Sequence, residues 1–131
     1  MTDEIHKAAS TARSLAHAPY SKFQVGAAIR GASGQIYTGA NVENASYPEG
    51  WCAETSAIAA MIMAGETEIT EVCVVGTGSQ LVPPCGGCRQ RLAEFAGAET
   101  PVHVGDEAAI RRSFTLAELL PAAFVLESGS D

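Results

Sequence analysis

The sequence predicts an α/β fold: a three-layer α/β/α sandwich around a mixed sheet of about five strands. Helical apolar spacing alternates along the chain with short β-like runs. The 131 residues suffice for a single domain spanning 1–131, and neither a low-complexity linker nor an internal repeat divides them. Because strands alternate with helices after an initial hairpin, we expect a mixed sheet covered on both faces.

Nine elements are predicted from apolar spacing and turn residues. The opening helix ends at Pro19, because the residue before a proline is driven out of the α region. Gly31 and Gly34 supply turn chemistry between two strands and predict a hairpin. The helix that starts at Trp51 is apolar almost all round and should be buried. In chain order the prediction is a helix over 2–18, strands over 23–30 and 35–40, a helix over 51–65, a strand over 71–77, a helix over 86–96, strands over 101–105 and 110–115, and a short helix over 116–120, before a polar tail at about 127–131.

Charge and hydropathy narrow the possible partners. Eight Lys and Arg stand against 15 Asp and Glu, which gives a net charge of −7. This balance argues against a nucleic-acid partner, because such surfaces need many cations to neutralise phosphates. The first residues lack a signal pattern and no apolar run could span a bilayer, so we expect a cytoplasmic protein without a membrane partner. Thiols stay reduced there, which makes the cysteines ligands, nucleophiles or core residues.

Three of the four cysteines lie at predicted helix starts. Cys52 opens one helix, and Cys85 and Cys88 open the next as a C-x-x-C pair. Right-handed crossovers place the two helices side by side on one face of the sheet, with their N-termini at the same end. Helix N-termini favour thiolates, and three converging thiolates with an open fourth position suit a catalytic Zn²⁺ site. Cys73 lies in an apolar β-like run and is expected in the core.

A carboxylate accompanies the cysteines. Glu54 follows Cys52 by two residues and would face the water that zinc activates. Such a carboxylate can take the proton of that water and deliver it to a substrate. A three-thiolate zinc site with a glutamate that is not a ligand is the arrangement of zinc deaminases.

Three alternatives explain the cysteines less completely. A redox C-x-x-C pair would leave Cys52 and Glu54 without a role. A structural zinc site would need a fourth ligand, and the spare Cys73 lies within a strand. Three unrelated core thiols would not explain why both clusters open helices.

Three segments carry a family resemblance: A-P-Y-S-K-F-Q-V-G-A-A at 18–28, G-A-N-V-E-N-A-S-Y at 39–47 followed by C-A-E at 52–54, and P-C-G-G-C-R-Q at 84–90. With them the chain resembles the small, homotetrameric cytidine deaminases that hold zinc with three cysteines. The resemblance implies one Zn²⁺ per subunit and a pyrimidine nucleoside as the small-molecule substrate. The implied reaction is zinc-dependent hydrolytic deamination of cytidine and 2′-deoxycytidine to uridine and 2′-deoxyuridine plus ammonia, a step of pyrimidine salvage. It also implies a cytidine deaminase-like sandwich and a homotetramer with shared active sites.

The resemblance assigns roles by position. It makes Cys52, Cys85 and Cys88 the zinc ligands and Glu54 the proton shuttle. Substrate contacts within the subunit fall on Phe23, Asn41, Glu43 and Ala53, and contacts to a neighbouring subunit's site on Ala45, Tyr47 and Phe124. Asn41 and Glu43 would bind the ribose, chiefly its 3′-hydroxyl. Plain core packing is the competing interpretation for Phe23 and Phe124.

One position departs from the family pattern. Members commonly carry an arginine directly after the catalytic glutamate, where it partly neutralises the thiolates, and this chain has Thr55. We expect Thr55, Arg89 and the two helix N-termini to compensate the thiolate charge instead. The competing interpretation of Arg89 is an ordinary structural or solvated cation.

Two other functions compete with nucleoside deamination. A blasticidin-type deaminase of nucleoside antibiotics shares the zinc motif, but the N-V-E-N-A-S-Y segment favours ordinary nucleosides. A non-catalytic zinc-binding module would not need Glu54. Deamination of polynucleotides is disfavoured by the acidic balance.

Overall fold

The computed structural model describes residues 2–126 and contains a five-stranded mixed sheet between two layers of helices. This architecture confirms the predicted α/β/α sandwich. The helices are α1 (Thr2–Arg13), α2 (Ala53–Met63), α3 (Gly86–Phe95) and α4 (Leu116–Leu119), with a 3₁₀ turn at Tyr47–Glu49. The strands are β1 (Gly26–Gly31), β2 (Ile36–Ala40), β3 (Ile69–Val75), β4 (Pro101–Gly105) and β5 (Ile110–Thr115). The tail predicted at 127–131 lies outside the described residues.

The strand order is β2-β1-β3-β4-β5. Strands β3 and β4 are parallel and are joined through α3, whereas each other neighbouring pair is antiparallel. Helices α2 and α3 contact each other and share one core cluster against the sheet. The prediction that the two cysteine-bearing helices lie side by side on one face is therefore confirmed.

Alternation along the central strands separates the two faces of the sheet. Ile29 pairs with Val72, and both belong to the cluster under α2 and α3. The next pair, Ala28 and Cys73, belongs to the cluster under α1, where Ile5 is fully buried. Successive strand residues point to opposite faces, so the short apolar strands fill both layers. Cys73 is completely buried as predicted, and burial raises its pKa to about 12.

Helix α1 ends at Arg13, not at residue 18 as predicted. Long-range pairing with the loop after β2 removes the last turn from the helix. The His17 N–H donates to the Asn41 carbonyl at 3.0 Å, and the His17 carbonyl accepts from the Glu43 N–H at 2.8 Å. These bonds hold residues 14–18 close to the segment on which the predicted substrate residues lie.

Strand β1 begins at Gly26, three residues later than predicted. The preceding backbone bonds mainly to the Asn41 side chain, and the Val25 carbonyl also accepts from the Asn41 N–H at 3.2 Å. The Asn41 amide accepts from the Val25 N–H at 2.9 Å and donates to the Phe23 carbonyl at 2.9 Å. Side-chain bonding of this kind competes with ladder pairing and ends the strand.

Helix α2 begins at Ala53 rather than at residue 51, because Trp51 forms a β-bridge with Val42. Its distance from the sheet is set by Gly39 of β2. A Cβ atom at Gly39 would lie 2.4 Å from the Ala57 nitrogen and 2.6 Å from the Ala53 carbonyl oxygen. Only glycine permits this close approach, which fixes the first turns of α2 against β2. Within residues 2–126, no helix combines the length and apolar character needed to cross a bilayer.

Candidate active site

Three thiols meet where α2 and α3 begin. Cys52 is the N-cap of α2, Cys85 is the N-cap of α3, and Cys88 lies in the first turn of α3. Their Sγ atoms all lie within 4.8 Å of one another, and the Sγ atoms of Cys52 and Cys85 are 3.9 Å apart. The side-by-side helices thus bring together the three cysteines that were predicted to converge.

The cluster fits a zinc ion. Four tetrahedral ligands about 2.3 Å from zinc stand about 3.8 Å from each other, close to the observed sulfur spacing. Within the described chain, the cluster of possible metal ligands contains these three cysteines and no fourth group. Three protein ligands leave one position for water or substrate, which is the pattern of catalytic rather than structural zinc sites.

Cys52 and Cys88 shift each other's pKa in opposite directions. A hydrogen bond from Cys88 lowers the pKa of Cys52, and the pKa of Cys88 is raised because it keeps the shared proton and is buried. Three thiolates this close would repel one another, so a nearby positive charge stabilises them together. A divalent cation supplies that charge and binds the thiolate forms.

Glu54 lies beside the thiols in the first turn of α2. It is only 4% exposed and lines a cavity of about 250 Å³ together with Cys52, Cys85 and Asn41. Burial raises the pKa of its carboxyl group. A buried carboxyl group with a raised pKa, next to a metal site, is suited to accept and release a proton.

Asn41 and Glu43 line the same cavity on the side of the polar loop. Glu43 accepts from the Tyr20 and Ser21 N–H groups at 3.0 and 3.1 Å, and from the Ser21 hydroxyl. These bonds lower the pKa of Glu43, the Ser21 hydroxyl having the largest effect. A carboxylate offers about four lone-pair sites, so one acceptor position remains for a ligand. The Asn41 amide likewise keeps one N–H free of the bond to Phe23.

The other predicted substrate residues divide into two groups. Ala53 is buried and lines the cavity. Phe23 is not among the lining residues and lies half-buried beside Gly76, where a Cβ atom would be 3.4 Å from its ring. By contrast, Ala45, Tyr47 and Phe124 are exposed and stand outside the lining of the Glu54 cavity. Tyr47 lines a neighbouring cavity that shares Glu43 with the first.

Of the two residues expected to compensate the thiolate charge, Thr55 lies near a sulfur atom and Arg89 does not. The Thr55 hydroxyl lies 3.9 Å from the Cys88 sulfur. The Arg89 guanidinium, however, donates to the carbonyls of Pro84 at 2.7 Å and Leu119 at 2.8 Å, and so ties α3 to α4. It is Arg91 that donates to the Cys88 sulfur, at 3.8 Å.

Arg91 was missed at the level of sequence, although a signal for it was present. Residues three apart on a helix share a face, and Arg91 follows Cys88 by three. Arg89 follows Cys88 by one, which turns its side chain away from the sulfur.

Comparisons with known proteins agree with this geometry. Residues 1–104 match the sequence model described as the cytidine and deoxycytidylate deaminase zinc-binding region. The chain is 42% identical over 125 residues to a cytidine deaminase of Halalkalibacterium halodurans, covering 95% of each sequence. It is 42% identical over 120 residues to a cytidine deaminase of Mycobacterium tuberculosis, covering 91% of this chain and 86% of the relative. The crystal structure of cytidine deaminase from Burkholderia pseudomallei superposes with a TM-score of 0.89 at 36% identity, covering 95% of this chain and 99% of that one.

Proposed function

Since the chain belongs to the cytidine and deoxycytidylate deaminase family, we propose that it hydrolyses cytidine and 2′-deoxycytidine to uridine and 2′-deoxyuridine plus ammonia. One observation carries the proposal: Glu54 lines one small cavity together with Cys52 and Cys85, two members of the three-thiol cluster that fits zinc. The alternatives account for less. A non-catalytic zinc module leaves the buried Glu54 unexplained, and the named relatives are cytidine deaminases rather than antibiotic deaminases.

Cys52, Cys85 and Cys88 would hold one zinc ion per chain. When bound, zinc supplies the Lewis acidity that makes water a nucleophile near neutral pH. The reaction also needs proton transfer, which falls to Glu54. Glu54 takes a proton from the attacking water and delivers it to N3 of the pyrimidine, where it stays in the product. It then transfers the second proton, from the hydroxyl added at C4, to the amino group, which leaves as ammonia. Its burial supports this role, because few water molecules can compete for the proton.

The loop side of the cavity would recognise the sugar. The remaining acceptor site of Glu43 suits a ribose hydroxyl donor, and the remaining N–H of Asn41 suits the oxygen of the same 3′-hydroxyl. The Glu43 carboxylate would repel a phosphate group, which favours nucleosides over nucleotides. Phe23 would pack near the base, and the backbone around Ala53 and Cys85 would bind the polar edge of the pyrimidine.

A neighbouring copy of the chain would complete the site, in a homotetramer. Three large side chains that line the two cavities are exposed, Tyr20 by 53%, Tyr47 by 76% and Trp51 by 54%, and Val42, which pairs with Trp51, is exposed by 48%. An apolar rim of this kind is typical of a surface that another protein covers. It supports the expectation that Ala45, Tyr47 and Phe124 act in or beside a neighbouring subunit's site rather than in their own. A forced monomer should then be inactive, and a fully active monomer would refute the shared site.

We also propose a cytoplasmic location, where cysteines stay reduced and available to a metal.

An assay with purified protein tests the function. Zinc is quantified, and the loss of absorbance that accompanies deamination is followed with cytidine, 2′-deoxycytidine, blasticidin S and a cytosine-containing oligonucleotide. We expect turnover of the two nucleosides alone, with about one zinc per chain. Faster turnover of blasticidin S, or zinc binding without any turnover, would favour one of the competing functions.

A further inference from the structure

The proposed zinc site carries more negative charge than the metal neutralises. Three thiolates and one Zn²⁺ have a net charge of −1, which weakens the metal as a Lewis acid. The N-termini of α2 and α3 each supply about half a positive charge. The residue after Glu54 is the neutral Thr55, which adds no positive charge beside the thiols.

The structure places a cation, Arg91, beside one of the cluster's sulfur atoms, that of Cys88. The Arg91 guanidinium donates to the Cys88 Sγ at 3.8 Å, and the Thr55 hydroxyl approaches that sulfur at 3.9 Å. Cys88 itself is fully buried, so both groups act on a sulfur shielded from water. Arg91 and Thr55 also line one cavity between α3 and α2.

The first turn of α3 leaves space for this contact. A Cβ atom at Gly87 would lie 3.2 Å from the Arg91 Nη1 atom, closer than an ordinary van der Waals contact. The absence of a side chain at Gly87 lets the guanidinium fold back from one turn later to the sulfur. Arg89 cannot take its place, because two backbone carbonyls hold its guanidinium.

We propose that Arg91, together with Thr55, is the positioning residue that stabilises the Cys88 thiolate and limits its electron donation to zinc. This inference rests on the proposed zinc-dependent deamination. A charge-assisted hydrogen bond holds electron density on the sulfur, and such outer contacts tune a bound metal. The metal then retains the Lewis acidity that the net negative charge would otherwise remove.

Arg91→Gln tests the proposal, with Arg111→Gln as the matched control. Arg111 lies on β5, away from the thiols, and its Nε atom is 2.9 Å from the Asp106 carboxylate. We expect Arg91→Gln to lower kcat at least tenfold with KM within twofold of wild type. Zinc loss to a colorimetric chelator should be no faster, because the more basic thiolate binds the metal at least as tightly. Arg111→Gln should match wild type in every measurement.

Cobalt substitution supplies a readout that does not depend on turnover. In the Co²⁺ protein, loss of the hydrogen bond to the Cys88 sulfur should move the thiolate-to-metal charge-transfer band to longer wavelength in Arg91→Gln. The double variant Thr55→Arg with Arg91→Gln should recover both the band position and most of kcat, because the new arginine replaces the lost cation.

Two results would overturn the role of Arg91. One is an unchanged kcat and an unchanged cobalt band in Arg91→Gln. The other is faster zinc loss with an unchanged band, which would mean that Arg91 only stabilises the fold. Failure of the underlying function looks different, since the wild-type protein would then bind zinc or cobalt without deaminating cytidine.

Discussion

Replacement of Glu43 by glutamine tests how the loop recognises the sugar. The carboxylate accepts three hydrogen bonds from Tyr20 and Ser21 and keeps one acceptor site for the 3′-hydroxyl. Hydrogen bonds to charged groups contribute about 1.5–3 kcal/mol each. Losing one should therefore lower kcat/KM for cytidine by about 10- to 150-fold.

A substrate without the 3′-hydroxyl separates this effect from general damage to the loop. Wild-type protein should process 2′,3′-dideoxycytidine at least about 10- to 150-fold less well than 2′-deoxycytidine, because that substrate lacks the bond to Glu43 and also the bond to Asn41. In Glu43→Gln the two substrates should differ by only about 2- to 13-fold, because the neutral hydrogen bond from Asn41 is then the one partner of the hydroxyl that remains. The assay is the loss of absorbance under kcat/KM conditions for both proteins and both substrates.

Glu66→Gln is the matched control. Glu66 accepts from the Ser33 N–H and hydroxyl and from the Tyr37 hydroxyl, so it fastens a turn much as Glu43 does, but at the hairpin. It should leave the preference between the two substrates unchanged. An equal preference for the 3′-hydroxyl in wild type and Glu43→Gln would refute the assignment of Glu43 as its partner.

Three further predictions concern stability and the metal. Gly39→Ala should destabilise the protein by about 1–3 kcal/mol in urea unfolding, because the new Cβ would meet the α2 backbone; an unchanged midpoint would contradict the close packing. The pKa of Glu66 is lowered by hydrogen bonds from Ser33, so this stabilisation is present above the ordinary carboxyl pKa and is lost as pH falls through the lower folded value. When the urea midpoint of unfolding is measured as pH is lowered, it should therefore fall less steeply in Glu66→Gln than in wild type. Equal slopes would refute this prediction. Removal of zinc by a chelator should lower Tm and abolish turnover, and added Zn²⁺ should restore both; turnover that survives complete removal would exclude a metal-dependent reaction.

Much of the fold follows from local sequence patterns. The apolar runs around Ile29 and Val72 specify central strands that are buried on both faces. The crossover rule places Cys52 and Cys88 at the same end of neighbouring helices, so the meeting of the thiols was predictable without coordinates. The burial of Cys73 could likewise be predicted from its apolar neighbours in the sequence.

Other features depend on contacts between distant segments. Residues 14–18 have a helical pattern, but the backbone of His17 pairs with the loop at 41–43 and ends α1 early. Residues 23–25 are apolar enough for a strand, yet the Asn41 side chain binds their backbone groups. Arg91 could be placed on the face of Cys88 by helical spacing, whereas the space above Gly87 that lets it reach the sulfur appears only in three dimensions.

The most direct test of the central claim is turnover of cytidine by Glu54→Gln, with zinc quantified in the same sample. Glutamine keeps the shape of the side chain but cannot accept and release the proton. We expect one zinc per chain, as in wild type, and a kcat lower by at least about 10³-fold. A zinc-loaded Glu54→Gln protein that retains a tenth or more of wild-type turnover would contradict the account.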